Sequence, residues 1–174
     1  PPATPDAPEA QSENLPGVGL VVLRKGRGPQ ALCAMLEYGE HGGGHGHPDK
    51  LQLIFYGLGR PLCPDLGTTG YGNAMHREWY KTTPAHNTVT LNGRSMAKTA
   101  GQLVDFRTSA AMDTAVAAAD SAYPGATLTR RIALTERVLV DVFDVSLEET
   151  GTVDWFLRAP GALETDLDTG PVED

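Results

Sequence analysis

All five histidines of the chain lie between His41 and His86, and two of them form the pair His45-Gly46-His47. Asp65 and His86 follow, each beside turn-forming or strand-starting residues. Two imidazoles and a carboxylate are the donor set a zinc-type ion takes when one coordination position stays open. In an extended chain residues i and i+2 project to one face, so His45 and His47 are expected to address one pocket. Gly42, Gly43, Gly44 and Gly46 surround them and leave room for a ligand or a second backbone. Asp65 is expected beside His47 across a hairpin. His86 stands too far along the chain for a local metal finger, so the fold would have to assemble the site.

Each of these residues also has an ordinary reading. A His-x-His pair can lie on a surface, Asp65 in Pro-Asp-Leu-Gly can form a turn, and His86 before Asn87-Thr88 can start a strand. His41 and His76 are looser, facing solvent or substrate as readily as an ion. Tyr71, Arg77, Tyr80 and Lys81 lie between the candidate ligands in sequence.

The elements that would position these groups have a dominant period of two. Residues 18–24, 30–38, 51–56, 88–91, 102–107, 114–118, 126–134, 137–145 and 152–157 form short β-prone runs. Gly, Pro, Asn or Asp clusters separate most of them. After its apolar start, the run 137–145 alternates, with Val138, Val140 and Val142 on one side, as a half-buried strand does. Residues 110–119 could be helical by propensity, but they are short and flanked by strands, and a strand is expected. Strand-like segments every 8–12 residues point to an antiparallel β-sandwich.

A chain of 174 residues suits one domain with a real core. Three acids in residues 1–14 and five in residues 164–174, with no base in either stretch, equal the whole net charge of −8. Residues 15–163 are therefore neutral on balance. No basic stripe suggests nucleic-acid binding, and no apolar run is long enough for a membrane-spanning helix. The Pro/Ala/Glu-rich residues 1–16 read as a linker without signal-peptide features, residues 17–160 as the sandwich, and 161–174 as an acidic tail or the start of a further β region. Cys33 and Cys63 could pair or stay free.

Three blocks carry a resemblance. They are His41-Gly-Gly-Gly-His-Gly-His-Pro-Asp-Lys-Leu51, Pro64-Asp-Leu-Gly-Thr-Thr-Gly-Tyr-Gly72 and Trp79-Tyr-Lys-Thr-Thr-Pro-Ala-His-Asn-Thr-Val89. Together with the later runs 140–145 and 152–157, they resemble the heparinase II/III-like polysaccharide lyases, most of all the alginate and oligoalginate lyase branch. The resemblance implies the β-sandwich domain of a toroid-plus-sandwich enzyme that cleaves an anionic uronate polysaccharide by β-elimination. It implies one zinc ion on His47, Asp65 and His86, and His45 as the active-site histidine. Tyr80, Tyr71, Arg77 and His41 become candidates for substrate contact. The catalytic Tyr and its Asn/His partners would belong to an N-terminal α-helical toroid, so the sandwich alone is expected to be inactive.

Two rival readings remain at this point. A cupin-like metal enzyme also uses His-x-His, but it wants a Glu a few residues later, where Lys50, Leu51, Gln52 and Leu53 stand. A carbohydrate-binding or structural sandwich could use zinc merely to staple loops.

Overall fold

The computed structural model describes residues 11–162, 164–167 and 169–170. The expected linker before residue 11 lies outside them. The linker reading ends sooner than expected, because Glu13–Leu15 form an edge strand, β1, antiparallel to β2 (Leu20–Lys25). Next come β3 (Leu32–Glu37), β4 (Leu53–Gly57) and β5 (Arg60–Cys63), giving a five-stranded sheet in chain order. A second sheet orders β10 (Leu139–Leu147), β9 (Ala126–Leu134), β8 (Asp113–Ala119) and β7 (Gln102–Arg107). A short pair joins β11 (Val153–Trp155) to β6 (Val89–Leu91). Every pairing is antiparallel.

Period-two patterning explains how the layers face each other. Val21 and Leu23 of β2, Ala34 and Leu36 of β3 and Leu53 of β4 form one inner face. Ala115, Ala117 and Ala119 of β8 and Leu128, Ile132 and Leu134 of β9 form the other. The alanine-rich stretch is a strand, as expected, because its alternate small side chains all enter the core. In β10 the alternation holds with Leu139, Phe143, Val145 and Leu147 packed against the core, while Val140 and Val142 are exposed, as is Val138 just before the strand. The hairpin between β4 and β5 turns at Leu58 and Gly59, both with positive φ, the geometry that matches strand twist.

Cys33 and Cys63 are free thiols, and burial pushes both pKa values up. Among the described residues of 161–174 none lies in a strand, and no helix of the described residues is long and apolar enough to cross a membrane.

Candidate functional site

The His45-Gly46-His47 stretch is not the strand expected, since His45 ends a 3-10 turn and the chain becomes extended only at Gly46. Gly42 and Gly43 take φ of +79° and +64°, and Gly43–His45 close a 3-10 turn. The turn breaks the shared face, so the two imidazoles point to different partners. His45 is exposed, and its Nδ1 lies 2.6 Å from the hydroxyl of Tyr71. His47 is half-buried, with Nδ1 3.2 Å from Nε2 of His86. Gly46 makes the tight return possible, since a Cβ there would sit 1.3 Å from the His41 carbonyl oxygen. Gly46→Ala is therefore expected to cost about 1–3 kcal/mol, the scale of forced overpacking. Denaturant unfolding of the variant measures this directly.

His86 links the other candidates. Its ring is almost fully buried, and Nδ1 faces both Asp65 Oδ2 at 2.8 Å and Gln52 Oε1 at 3.1 Å. Asp65 also accepts the Gly67 N–H on Oδ1, so it is a turn former and a site residue at once. The bonds from His86 and Gly67 outweigh burial and hold the Asp65 carboxyl below its usual range. His47 is likewise held below the ordinary histidine value, first by burial and then by His86, which leaves a neutral imidazole at pH 7. Hence a neutral His47 imidazole and an ionised Asp65 carboxylate, far apart in sequence, both meet the His86 ring, His47 at Nε2 and Asp65 at Nδ1.

A second carboxylate, missed by sequence reasoning, stands beside them. One ligand atom each from His47, Asp49 and His86 lies within 4.8 Å of the others. Asp49 is buried, and its Oδ1 is 3.3 Å from Lys50 Nζ without accepting an aligned hydrogen bond. Burial pushes the Asp49 carboxyl up, against the pull of Lys50. Lys50 itself is fully buried and held at 2.6 Å by Glu37. The only signal in the sequence was a charged pair, Asp49-Lys50, immediately before the apolar start of a strand.

Of the remaining expected site residues, Tyr71 contacts His45 and Lys81 contacts the glycine loop that carries it. Tyr71 is exposed and packs edge-on against His76, with ring centroids 4.8 Å apart. His76 is buried, and its Nδ1 meets Thr68 Oγ1 at 3.1 Å, so this histidine supports Tyr71 from behind. Arg77 is exposed and Tyr80 half-buried on the single π-helical turn His76–Tyr80. Lys81, just past it, donates from Nζ to the Gly44 carbonyl at 2.6 Å and ties this turn to the glycine loop. His41 is half-buried at the base of that loop, its pKa lowered chiefly by burial and next by Lys98.

A family model described as heparinase II/III-like, C-terminal, matches residues 7–167. The chain belongs to the heparinase II/III-like family. This heparinase II/III-like domain is 31% identical to an alginate lyase of Stenotrophomonas maltophilia, over 84% of the chain and 23% of that protein. It is 28% identical to an exo-oligoalginate lyase of Saccharophagus degradans, over 83% of the chain and 23% of that protein. Among solved structures, a heparinase III matches with a TM-score of 0.79 and 25% identity, over 90% of the chain and 25% of its own. The heparan sulfate lyase of Pedobacter heparinus matches at 0.77 and 25%, over 88% and 25%. The domain thus spans about a quarter of the length of these relatives, and its antiparallel sandwich is the fold it shares with the solved structures.

Proposed function

We propose that the domain supplies one wall of a lyase cleft, with a zinc ion on His47, Asp65 and His86 and with His45 facing the substrate. The observation that carries this reading is the divergence of the two histidines, one towards His86 and Asp65, the other towards Tyr71 and solvent. Two imidazole nitrogens bound to one tetrahedral ion at 2.0–2.1 Å stand about 3.3 Å apart, close to the 3.2 Å between His47 Nδ1 and His86 Nε2. Because Asp65 faces the other nitrogen of His86, its carboxylate or the His86 ring turns when all three bind one ion. The buried Asp49 oxygen without an aligned donor adds to the donor capacity of the pocket. Asp65, whose carboxyl is held ionised, is the better ligand. Asp49, 3.3 Å from the buried Lys50 ammonium, balances that charge instead. When bound, zinc would fix the loop that carries His45, a supporting role more than Lewis-acid chemistry.

The substrate class we assign is a 4-O-linked uronate polysaccharide, alginate-like or glycosaminoglycan-like. In the elimination the C5 proton leaves to a base, the C4–O bond breaks, and a C4=C5 double bond forms as the leaving oxygen takes a proton. The adjacent carboxylate must be neutralised for the C5–H bond to ionise. Tyr71 holds Nδ1 of His45, so Nε2 is the nitrogen a substrate would meet, for hydrogen bonding or a share of proton transfer. Tyr71, Tyr80, Arg77 and His41 line the approach as sugar and carboxylate contacts. The base and the carboxylate-neutralising partners are assigned to an N-terminal helical toroid of a longer protein. The non-catalytic alternative, a carbohydrate-binding or structural zinc sandwich, leaves His45 without a role at its exposed position.

The test is ultraviolet absorbance of the new double bond when the complete protein meets alginate or heparan sulfate oligomers, with the isolated domain alongside. Absorbance growth with the complete protein and none with the domain is expected. No growth on any uronate polymer would overturn the lyase reading. Growth at an equal rate with the domain alone would move the base to Tyr71 or Tyr80.

A further inference from the structure

Arg130 is the largest fully buried side chain of the described residues and lies outside the cluster described above. It stands on β9 in register with the core residues Leu128, Ile132 and Leu134, where an apolar side chain would be the ordinary choice. Its charge is matched by Asp141 of β10 in a two-pronged pair, Nε to Oδ1 at 2.8 Å and Nη2 to Oδ2 at 2.6 Å. The guanidinium also lies 5.1 Å from the ring centroid of Phe143. Balancing Asp141 does not require the third nitrogen, and that nitrogen reaches the metal loops. Nη1 donates to the Leu51 carbonyl at 2.7 Å and to the Asn87 carbonyl at 2.6 Å.

Those two carbonyls belong to the segments that carry the candidate ligands. Leu51 lies four residues beyond His47 and holds a φ of +59°, which a branched residue keeps only when its surroundings impose it. Asn87 follows His86 directly. Its side-chain amide donates to the Pro64 carbonyl at 2.9 Å, beside Asp65, and to the Leu53 carbonyl at 3.0 Å. One guanidinium and one amide therefore connect all three ligand-bearing segments. A planar fork with fixed donor directions sets the spacing of two backbones in a way that a flexible ammonium does not.

We infer that Arg130 is a positioning residue for the site, fixing the separation of the His47 and His86 segments through the Leu51 and Asn87 carbonyls, with Asp141 as its counter-ion. Only the zinc arm of the test rests on the metal reading above. Arg130→Lys keeps the charge and loses the fork. Arg130→Met combined with Asp141→Leu removes both charges together, because a buried charge left without its partner endangers folding. Circular dichroism establishes folding. Hydrogen exchange followed by mass spectrometry then reads segments 47–52 and 84–88 against β7 and β8, and chelator competition reads the zinc Kd.

Both variants are expected to fold. Exchange should quicken in 47–52 and 84–88 with β7 and β8 unchanged, and zinc should bind roughly 10-fold more weakly or worse, the usual effect of losing an outer-shell support. Wild-type exchange in those segments in a folded variant overturns the inference and leaves Arg130 as a mere partner of Asp141. Failure of both variants to fold also overturns it, because Arg130 would then hold the sandwich itself. A wild-type chain that takes up no zinc overturns the metal reading alone, and the exchange comparison still decides the role of Arg130.

Discussion

In the complete protein, His45→Ala is expected to slow elimination by roughly 10²-fold or more, the scale of a lost acid–base or charge-stabilising group. Zinc content and melting temperature should stay near wild type. The split follows from where the side chain sits. His45 is exposed at the end of a 3-10 turn and contacts Tyr71, so removing its ring opens no core cavity and takes no donor from the His47–His86 pair. Steady-state double-bond absorbance, run beside metal analysis and a thermal melt, reads all three quantities. A parent-like rate in His45→Ala would remove it from the chemistry. A fall in rate matched by loss of metal would make it a ligand.

Replacing His47 or Asp65 should produce the opposite split, with loss of the ion and a large fall in melting temperature. An ion that binds only the folded state stabilises it by about 4 kcal/mol when its free concentration is a thousand times Kd. For a chain of this size that corresponds to roughly 10 °C. Acid should mimic the substitution. The folded chain holds the pKa of His47 below the reference of 6.5, so the unfolded chain binds a proton first. The His47 contribution is therefore complete above about pH 6.5 and fades as pH falls through the lowered folded value. Asp65, whose carboxyl is lowered from 3.8, keeps its contribution to more acidic pH and loses it as pH falls through its own lowered value. Zinc retention should accordingly decline first in the range where His47 takes up a proton.

Much of the frame was legible in the sequence, because burial on one face of a strand leaves a period of two. Residues 102–107 and 126–134 coincide with β7 and β9, and the alanine-rich strand was legible once its neighbours were read as strands. Propensity gave no warning of the turn at Gly43–His45, where glycines with positive φ override the extended reading and separate His45 from His47. The edge strand Glu13–Leu15 was hidden in a polar, Pro-rich head because it is held by backbone pairing and by Ser12, whose hydroxyl donates to Asp113 at 2.6 Å, not by an apolar pattern. Asp49 and Asn87 were illegible as site residues, since each acts through contacts with segments distant in the chain, and His76 was legible only as a loose candidate for solvent, substrate or ion, not as the buried support of Tyr71. Arg130 did leave a trace, a charge at an inward position of an otherwise apolar alternation, but its partners could only be found in the fold.

The central claim is that the two neighbouring histidines have separate duties, one to the ion and one to the substrate. Zinc per chain, measured on the purified domain and on its His45→Ala, His47→Ala, Asp65→Asn and Asp49→Asn variants, tests it most directly. One ion is expected in wild type, His45→Ala and Asp49→Asn, and close to none in His47→Ala and Asp65→Asn. Equal metal in all five proteins, or loss with His45→Ala as complete as with His47→Ala, would contradict the account.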